Sequence, residues 1–278
     1  MAQKLKFGNG TWATKEGSTL AYNDENNNFK PLPFTTTRDS IATRVNKEGL
    51  IEVVGNDKPR IDYTDSADGA LLLEPSRTNL FQRSEEFSNA YWNTARIETP
   101  YIADVVSPDG TLNAYTLEIS SGETSGGGVY KSLSVTGDNS WSVFAKKNTV
   151  DYLVLGDTGL DGSRNVVYFN LSNGTIGSEY QNATGEMQYF GNGWYRCTMK
   201  YTLTSSGNKF IYMTNIDGTT TNSVQGGDSI YIYGAQVEQG SYPTSYIPTS
   251  GSTVQRAAET ANGAGNSEVF NDSEGVLF

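Results

Sequence analysis

Apolar and polar positions alternate with a period of two over much of this chain. The clearest run begins at Ser229, where Ile230 and Ile232 fall on one side and Tyr231 and Tyr233 on the other. That period marks a strand with both faces in use, and β-branched and aromatic side chains fill it, as strands prefer. Gly234 interrupts the run, and Gly240, Pro243 and Pro248 exclude a helix after it. The stretch predicts a last strand whose extended exit closes a sandwich. Similar patterns predict strands over 113–119, 128–135, 140–146, 152–156, 165–170, 187–190, 194–203 and 209–216. Turn signals such as Asp109-Gly110, Asn173-Gly174, Asn192-Gly193 and Asp217-Gly218 separate them. Short strands at this spacing read as an all-β sandwich, with a jelly roll as the expected topology. A parallel α/β fold would need long amphipathic helices between the strands, and the pattern contains none.

Four stretches follow from the same reading. Residues 1–34 carry scattered aromatics, Phe7, Trp12, Tyr22, Phe29 and Phe34, between polar spacers, with a turn at Asp24 to Asn28. So little apolar surface cannot order the segment alone, which predicts an extended anchor that docks on a partner or on sister copies. Residues 35–79 predict short hairpins and an oligomerisation region, with a turn at Asn46 to Gly49 and a buried strand at Leu71 to Leu73. Arg60, Asp62, Glu74 and Arg77 are expected to form a structural charge cluster beside it. Residues 80–249 form the sandwich. Residues 250–278 read as a linker of small and polar residues, ending at Val276 to Phe278 in the start of a possible further domain.

Composition narrows the chemistry. The 278 residues carry a net charge of -11, which argues against nucleic acid or an anionic membrane as the main partner. No histidine occurs, so Ser-His-Asp and Cys-His catalysis and His-ligated zinc are excluded. Carboxylate chemistry stays open, but Glu118, Asp151, Asp157, Glu186 and Glu238 show no spacing that singles out a pair. The single Cys197 reads as a small buried apolar side chain. There is no run of apolar residues long enough to span a bilayer and no signal-peptide core near the N-terminus.

Three motifs carry a family resemblance: GALLLEPSRTNL (Gly69 to Leu80) running into RSEEFSNAYW, GNGWYRC (Gly191 to Cys197), and GAQVEQG followed by YPTSYIPT near the end. In this order and spacing, over about Ile61 to Ala258, the chain resembles the carbohydrate-binding-like β-sandwich of bacteriophage fibre and spike proteins. The resemblance implies a non-enzymatic structural protein of the virion, assembled in the host cytoplasm, as a head fibre or tail-associated fibre subunit. It further implies a homotrimer held to capsid or tail proteins through its N-terminus, projecting a sandwich toward host-surface glycan. No cofactor is implied. Virion-anchoring candidates are Phe7, Trp12, Tyr22 and Phe29. The alternative is an accessory module of a carbohydrate-active enzyme whose catalytic part lies beyond residue 278.

Tyr and Trp pair an apolar face with a polar tip and can stack on sugar rings. Tyr152, Tyr212, Tyr231 and Tyr233 are expected on neighbouring strands with one parity, with Trp92 and Tyr101 at a loop rim. The competing reading is that such rings fill the core, as is expected of Trp141 and Trp194. No metal site is assigned. A calcium ion, which modules resembling this one often hold, would draw on Glu85, Asp228 and Glu238, without any EF-hand spacing.

Overall fold

The computed structural model describes the backbone of residues 3–5, 12–15, 18–24, 26–32, 34–159, 164–203 and 207–262, and side chains from residue 21 onward except 31 and 159. Among these residues the chain is all-β, with no helix. It divides into two units, one of residues Met1–Arg77 with Arg256–Phe278, the other of Thr78–Gln255.

The second unit is the sandwich. Its strands are β1 (Asn93–Ala95), β2 (Tyr101–Ile102), β3 (Tyr115–Glu118), β4 (Gly128–Leu133), β5 (Gly137–Lys147) and β6 (Tyr152–Gly159). They continue with β7 (Arg164–Asn170), β8 (Thr175–Tyr180), β9 (Thr184–Tyr189), β10 (Trp194–Leu203), β11 (Gly207–Thr214) and β12 (Ser229–Gln239). One six-stranded sheet runs β1-β4-β11-β6-β7-β8 and the other β2-β3-β12-β5-β10-β9. The ladders are antiparallel, and the chain passes back and forth between the sheets in the jelly-roll manner. β10 has the predicted bounds. β8 was not expected, because TIGSEY has no apolar face to bury and lies on the sheet edge.

Alternation explains the core. Leu153 and Leu155 of β6, Val167 and Phe169 of β7, and Ile211 and Met213 of β11 face Trp141, Val143, Cys197 and Met199 of the other sheet. Burial pushes the Cys197 thiol up, so it remains a protonated packing residue. Trp194 is also buried, its indole N–H donating to the Val106 carbonyl. Gly234 sits at φ +60°, where the register of β12 against β5 slips by a residue. The bulge reverses parity. Ile230 and Ile232 before it and Ala235 and Val237 after it therefore all reach the core.

Parity also turns Gln236 and Glu238 outward, yet both are fully buried. The segments leading into and out of the sandwich cover them. Asn79 donates to the Ala235 and Ile247 carbonyls at 3.1 and 2.9 Å and accepts from the Phe81 and Val237 amides. Gln236 accepts from the Ile247 amide at 2.6 Å, and Glu238 accepts from the Thr244 amide and hydroxyl. Ser84 accepts from the Thr249 amide at 2.8 Å and from the Tyr246 hydroxyl at 2.7 Å. A polar clasp thus locks both segments onto β12.

The first unit consists of small antiparallel sheets. Ala70–Leu73 lies between Gln3–Leu5 and Arg60–Asp62, and Leu71 and Leu72 are buried as expected. Ala42–Val45 and Ile51–Val54 form the expected hairpin, with Gly49 at φ +81°. Residues 1–34, expected to be extended, instead contain the sheet Trp12–Lys15, Ser18–Asn23 and Phe29–Pro31. The Asp24 carboxylate caps the expected turn by accepting from the Asn26 and Asn28 amides. Thr260–Asn262, read as linker, pairs with Thr35–Thr37. Glu259 consequently joins a buried charge network. It pairs with Arg38 at 2.6 Å and with Arg60, while Glu74 pairs with Arg60 at 2.8 Å and Arg256 at 2.9 Å. Arg60 and Glu74 belong to the predicted cluster. Arg38, Arg256 and Glu259 come from parts of the sequence too distant for spacing to reveal.

Asn79→Ala would orphan two buried carbonyls and two buried amides. Each unsatisfied buried group costs about 1–3 kcal/mol, so sandwich stability should fall by about 3 kcal/mol or more. Denaturant unfolding followed by tryptophan fluorescence checks this, and an unchanged midpoint would contradict the clasp.

Candidate ligand-binding groove

The outer face of an antiparallel sheet is ordinarily polar. On the β1-containing sheet it is aromatic. The register places Tyr130, Phe210, Gly156, Val166 and Tyr180 in one row across β4, β11, β6, β7 and β8. A second row holds Tyr212, Val154 and Tyr168. Together they line an open groove of about 800 Å³, within the range of roughly 300–1,000 Å³ usual for ligand sites.

Each part has a local cause. Val154 and Val166 form a buried floor, and the Phe210 and Tyr212 rings lie 4.9 Å apart at 47° above it. Gly156 makes room for this, because a Cβ there would overlap the Phe210 ring. Tyr168 and Tyr180 meet edge to face at 6.1 Å. Burial, and then the neighbouring Tyr180, push the Tyr168 hydroxyl up to about 12, so it stays a hydrogen-bond donor. Burial likewise raises Tyr212.

The rim is unusual in its backbone. Arg96 and Gln181 both line the groove and both take φ near +60° (+56° and +60°), a left-handed conformation disfavoured for side chains of their size. Arg96 is held there by two bonds to the Gly126 carbonyl, and its guanidinium lies 5.6 Å over the Tyr212 ring. Such strain persists where surrounding structure enforces it, and it concentrates at binding sites. The charged residues of the described lining are Arg96 and Arg164, with no Asp or Glu. The groove therefore offers stacking faces and hydrogen-bond donors, and lacks the opposed carboxylates of glycosidases.

Of the aromatic residues proposed from sequence, Tyr212 lines the groove and Tyr152 packs half-buried beside it. Tyr231 and Tyr233 do not join them, since β12 belongs to the other sheet. Tyr231 is half-buried on that sheet, while Tyr233 is 3% exposed and stacks with Phe144 and Tyr246. Its hydroxyl donates to Glu85 and Asp109 at 3.0 and 3.1 Å. Trp92, expected at a rim, is instead core, packed on Phe81 and Phe87 with its indole N–H donating to the Arg83 carbonyl. Tyr101 is exposed on edge strand β2.

Among the anchoring candidates, Phe7 lies outside the described residues. Trp12 begins a strand, Tyr22 is half-buried, and Phe29 is 54% exposed. The carboxylates considered for calcium lie apart. Glu85 binds the Tyr233 and Tyr246 hydroxyls, Asp228 the Gln225 amide and the Asn215 side chain, and Glu238 the clasp.

Sequence reading missed Tyr130, Tyr168, Tyr180 and Phe210. The alternation that turns Tyr168 and Phe210 outward is visible in RNVVYFN and GNKFIYMT, but only the strand order brings the four onto one surface.

No protein-family model matches the chain, and no curated protein does. Among solved structures, it is similar to the enzymatically active domain of tailspike protein 4 of bacteriophage CBA120, at 10% identity and TM-score 0.35. That likeness covers 58% of this chain and 21% of that one. A second similarity is to the CBM22-1–GH10 modules of an endo-1,4-β-D-xylanase from Clostridium thermocellum, complexed with xylohexaose. There the identity is 13% and the TM-score 0.33, over 59% of this chain and 28% of that one. The chain therefore spans less than a third of either structure's length, and both likenesses are distant.

Burial raises the Glu85 carboxyl above its ordinary range, partly opposed by its two tyrosine hydrogen bonds. A carboxyl raised on folding adds stability that is complete below its unfolded value and lost as pH rises through its folded one. Glu85→Gln keeps an acceptor and cannot ionise. Its melting temperature should exceed that of the wild type at pH 7 and converge with it near pH 4. A difference independent of pH would contradict this.

Proposed function

We propose that this chain is a non-enzymatic bacteriophage fibre or spike subunit whose sandwich holds an extended host-surface glycan in the aromatic groove. The observation that carries the reading is the pair of outward rows, Tyr130, Phe210 and Tyr180 in one and Tyr212 and Tyr168 in the other, around a concave floor. Aromatic faces beside hydroxyl donors suit a sugar, which is apolar on its ring faces and polar at its edges. An open groove accepts a chain internally, without requiring a free end. The motifs that resemble phage fibre sandwiches support placing the glycan on a host surface and the protein on a virion. Trimeric copies would raise weak single-site affinity by avidity, and the N-terminal segment would hold the subunit to capsid or tail proteins.

A glycan array probed with the purified protein tests this. Retention of extended chains is expected. Tyr212→Ala should weaken it about tenfold, equivalent to ~1.4 kcal/mol, and Tyr231→Ala should leave it unchanged. No retention of any glycan, or equal loss in both variants, would refute the groove as the site.

A further inference from the structure

The end of the sandwich core holds a lysine and an aspartate where hydrocarbon is the rule. Asp157 of β6 and Lys209 of β11 are direct cross-strand partners. Both continue the inward-facing series of their strands, after Leu153 and Leu155 in one and before Ile211 and Met213 in the other. Each side chain is 0% exposed, and Nζ lies 2.5 Å from Oδ2. At that distance a charged hydrogen bond is expected. Neither Nζ nor either carboxylate oxygen makes a hydrogen bond of good geometry. Gly207 leaves the carboxyl its place, since a Cβ there would overlap Oδ1.

As an ion pair this arrangement is poor. Two desolvated charges are tolerated when further hydrogen bonds satisfy their remaining lone pairs and protons, and here there are none. As a pair of reactants it is well placed. The groups are held in contact, in a site that excludes water, so their effective concentration is very high.

We infer that Lys209 and Asp157 condense to an intramolecular isopeptide bond. Proton transfer within the pair gives the free amine and the carboxylic acid. The Nζ lone pair adds to Asp157 Cγ, and negative charge builds on one carboxyl oxygen. A proton passes from nitrogen to the other oxygen, which leaves as water, and the C–N bond remains as a neutral secondary amide. One amine and one acid thus become one amide and one water, with no other reactant. Burial drives the Lys209 amine down, toward its nucleophilic form. The Tyr201 hydroxyl, buried in the opposite sheet beside Asp157, serves as the donor to the developing oxyanion. The product replaces an unsatisfied ion pair by an uncharged link and covalently joins β6 to β11, adjacent strands of the sheet that carries the groove.

Mass spectrometry of the purified full chain decides the matter. The expected intact mass is one water below that of the sequence. Proteolysis should then yield a branched peptide joining the segment of Asp157 to that of Lys209, absent from Lys209→Met. Tyr201→Phe should lower the cross-linked fraction. The branched peptide is decisive, because Asp-Gly steps elsewhere can also lose water. A wild-type protein at full mass, or one lighter by water without the branched peptide, overturns the inference. The wild-type measurement suffices even if a core variant fails to fold.

Discussion

The sandwich depends on a handful of buried polar side chains that fasten its leading and trailing segments to β12. Those segments carry backbone groups that the two large sheets do not pair, and buried amides and carbonyls must be paired. Asn79 is suited to the task because one carboxamide both donates and accepts, bridging β12 to residues on either side of the sandwich in sequence. Gln236 and Glu238 do the same from β12 itself. The motifs that resemble phage fibre sandwiches fall largely here. They mark how the fold is closed, while the aromatic groove lies on the other sheet.

The first unit meets a related constraint with charge. Arg38, Arg60 and Arg256 share Glu74 and Glu259 in a site where all five side chains are at most 3% exposed. Arginine suits such a network, since its planar fork engages several acceptors at once and its charge cannot be removed. Arg38 also donates to the Ser40, Val54, Gly55 and Lys58 carbonyls. Its role is therefore to order surrounding loops as well as to balance charge. Removing one partner would leave a buried charge uncompensated, so residues from both ends of the chain are needed together.

The groove arises from the same alternation that builds the core. Strands β4, β6, β7 and β11 carry apolar side chains such as Val129, Leu153, Val167 and Met213 on the inner face, with Tyr130, Tyr168, Phe210 and Tyr212 on the outer one. Gly156 and the left-handed Arg96 and Gln181 then shape a flat aromatic face into a concave one. Backbone strain at the rim and aromatic rings over a buried apolar floor meet on this face. Their coincidence in one place is what distinguishes this face from the rest of the sandwich.

Much of this was legible in the residues. Alternation identified most strands of the sandwich, Asx-Gly pairs marked turns between them, and Gly234 announced a break in β12, because the pleat and its interruptions are local properties of a strand. Tyr212 could be recognised as outward-facing for the same reason. The neighbours of each strand could not. Tyr152 and Tyr212 meet on one sheet, whereas Tyr231 and Tyr233, of the same parity, belong to the other, and Trp92 turns into the core. The return of Glu259 to Arg38 and Arg60 was equally hidden. The sequence by itself determined that the chain forms sheets and which side of each strand a residue occupies. Only the tertiary structure decided which faces adjoin, because antiparallel pairing joins residues far apart in the chain through backbone groups that are alike in every residue.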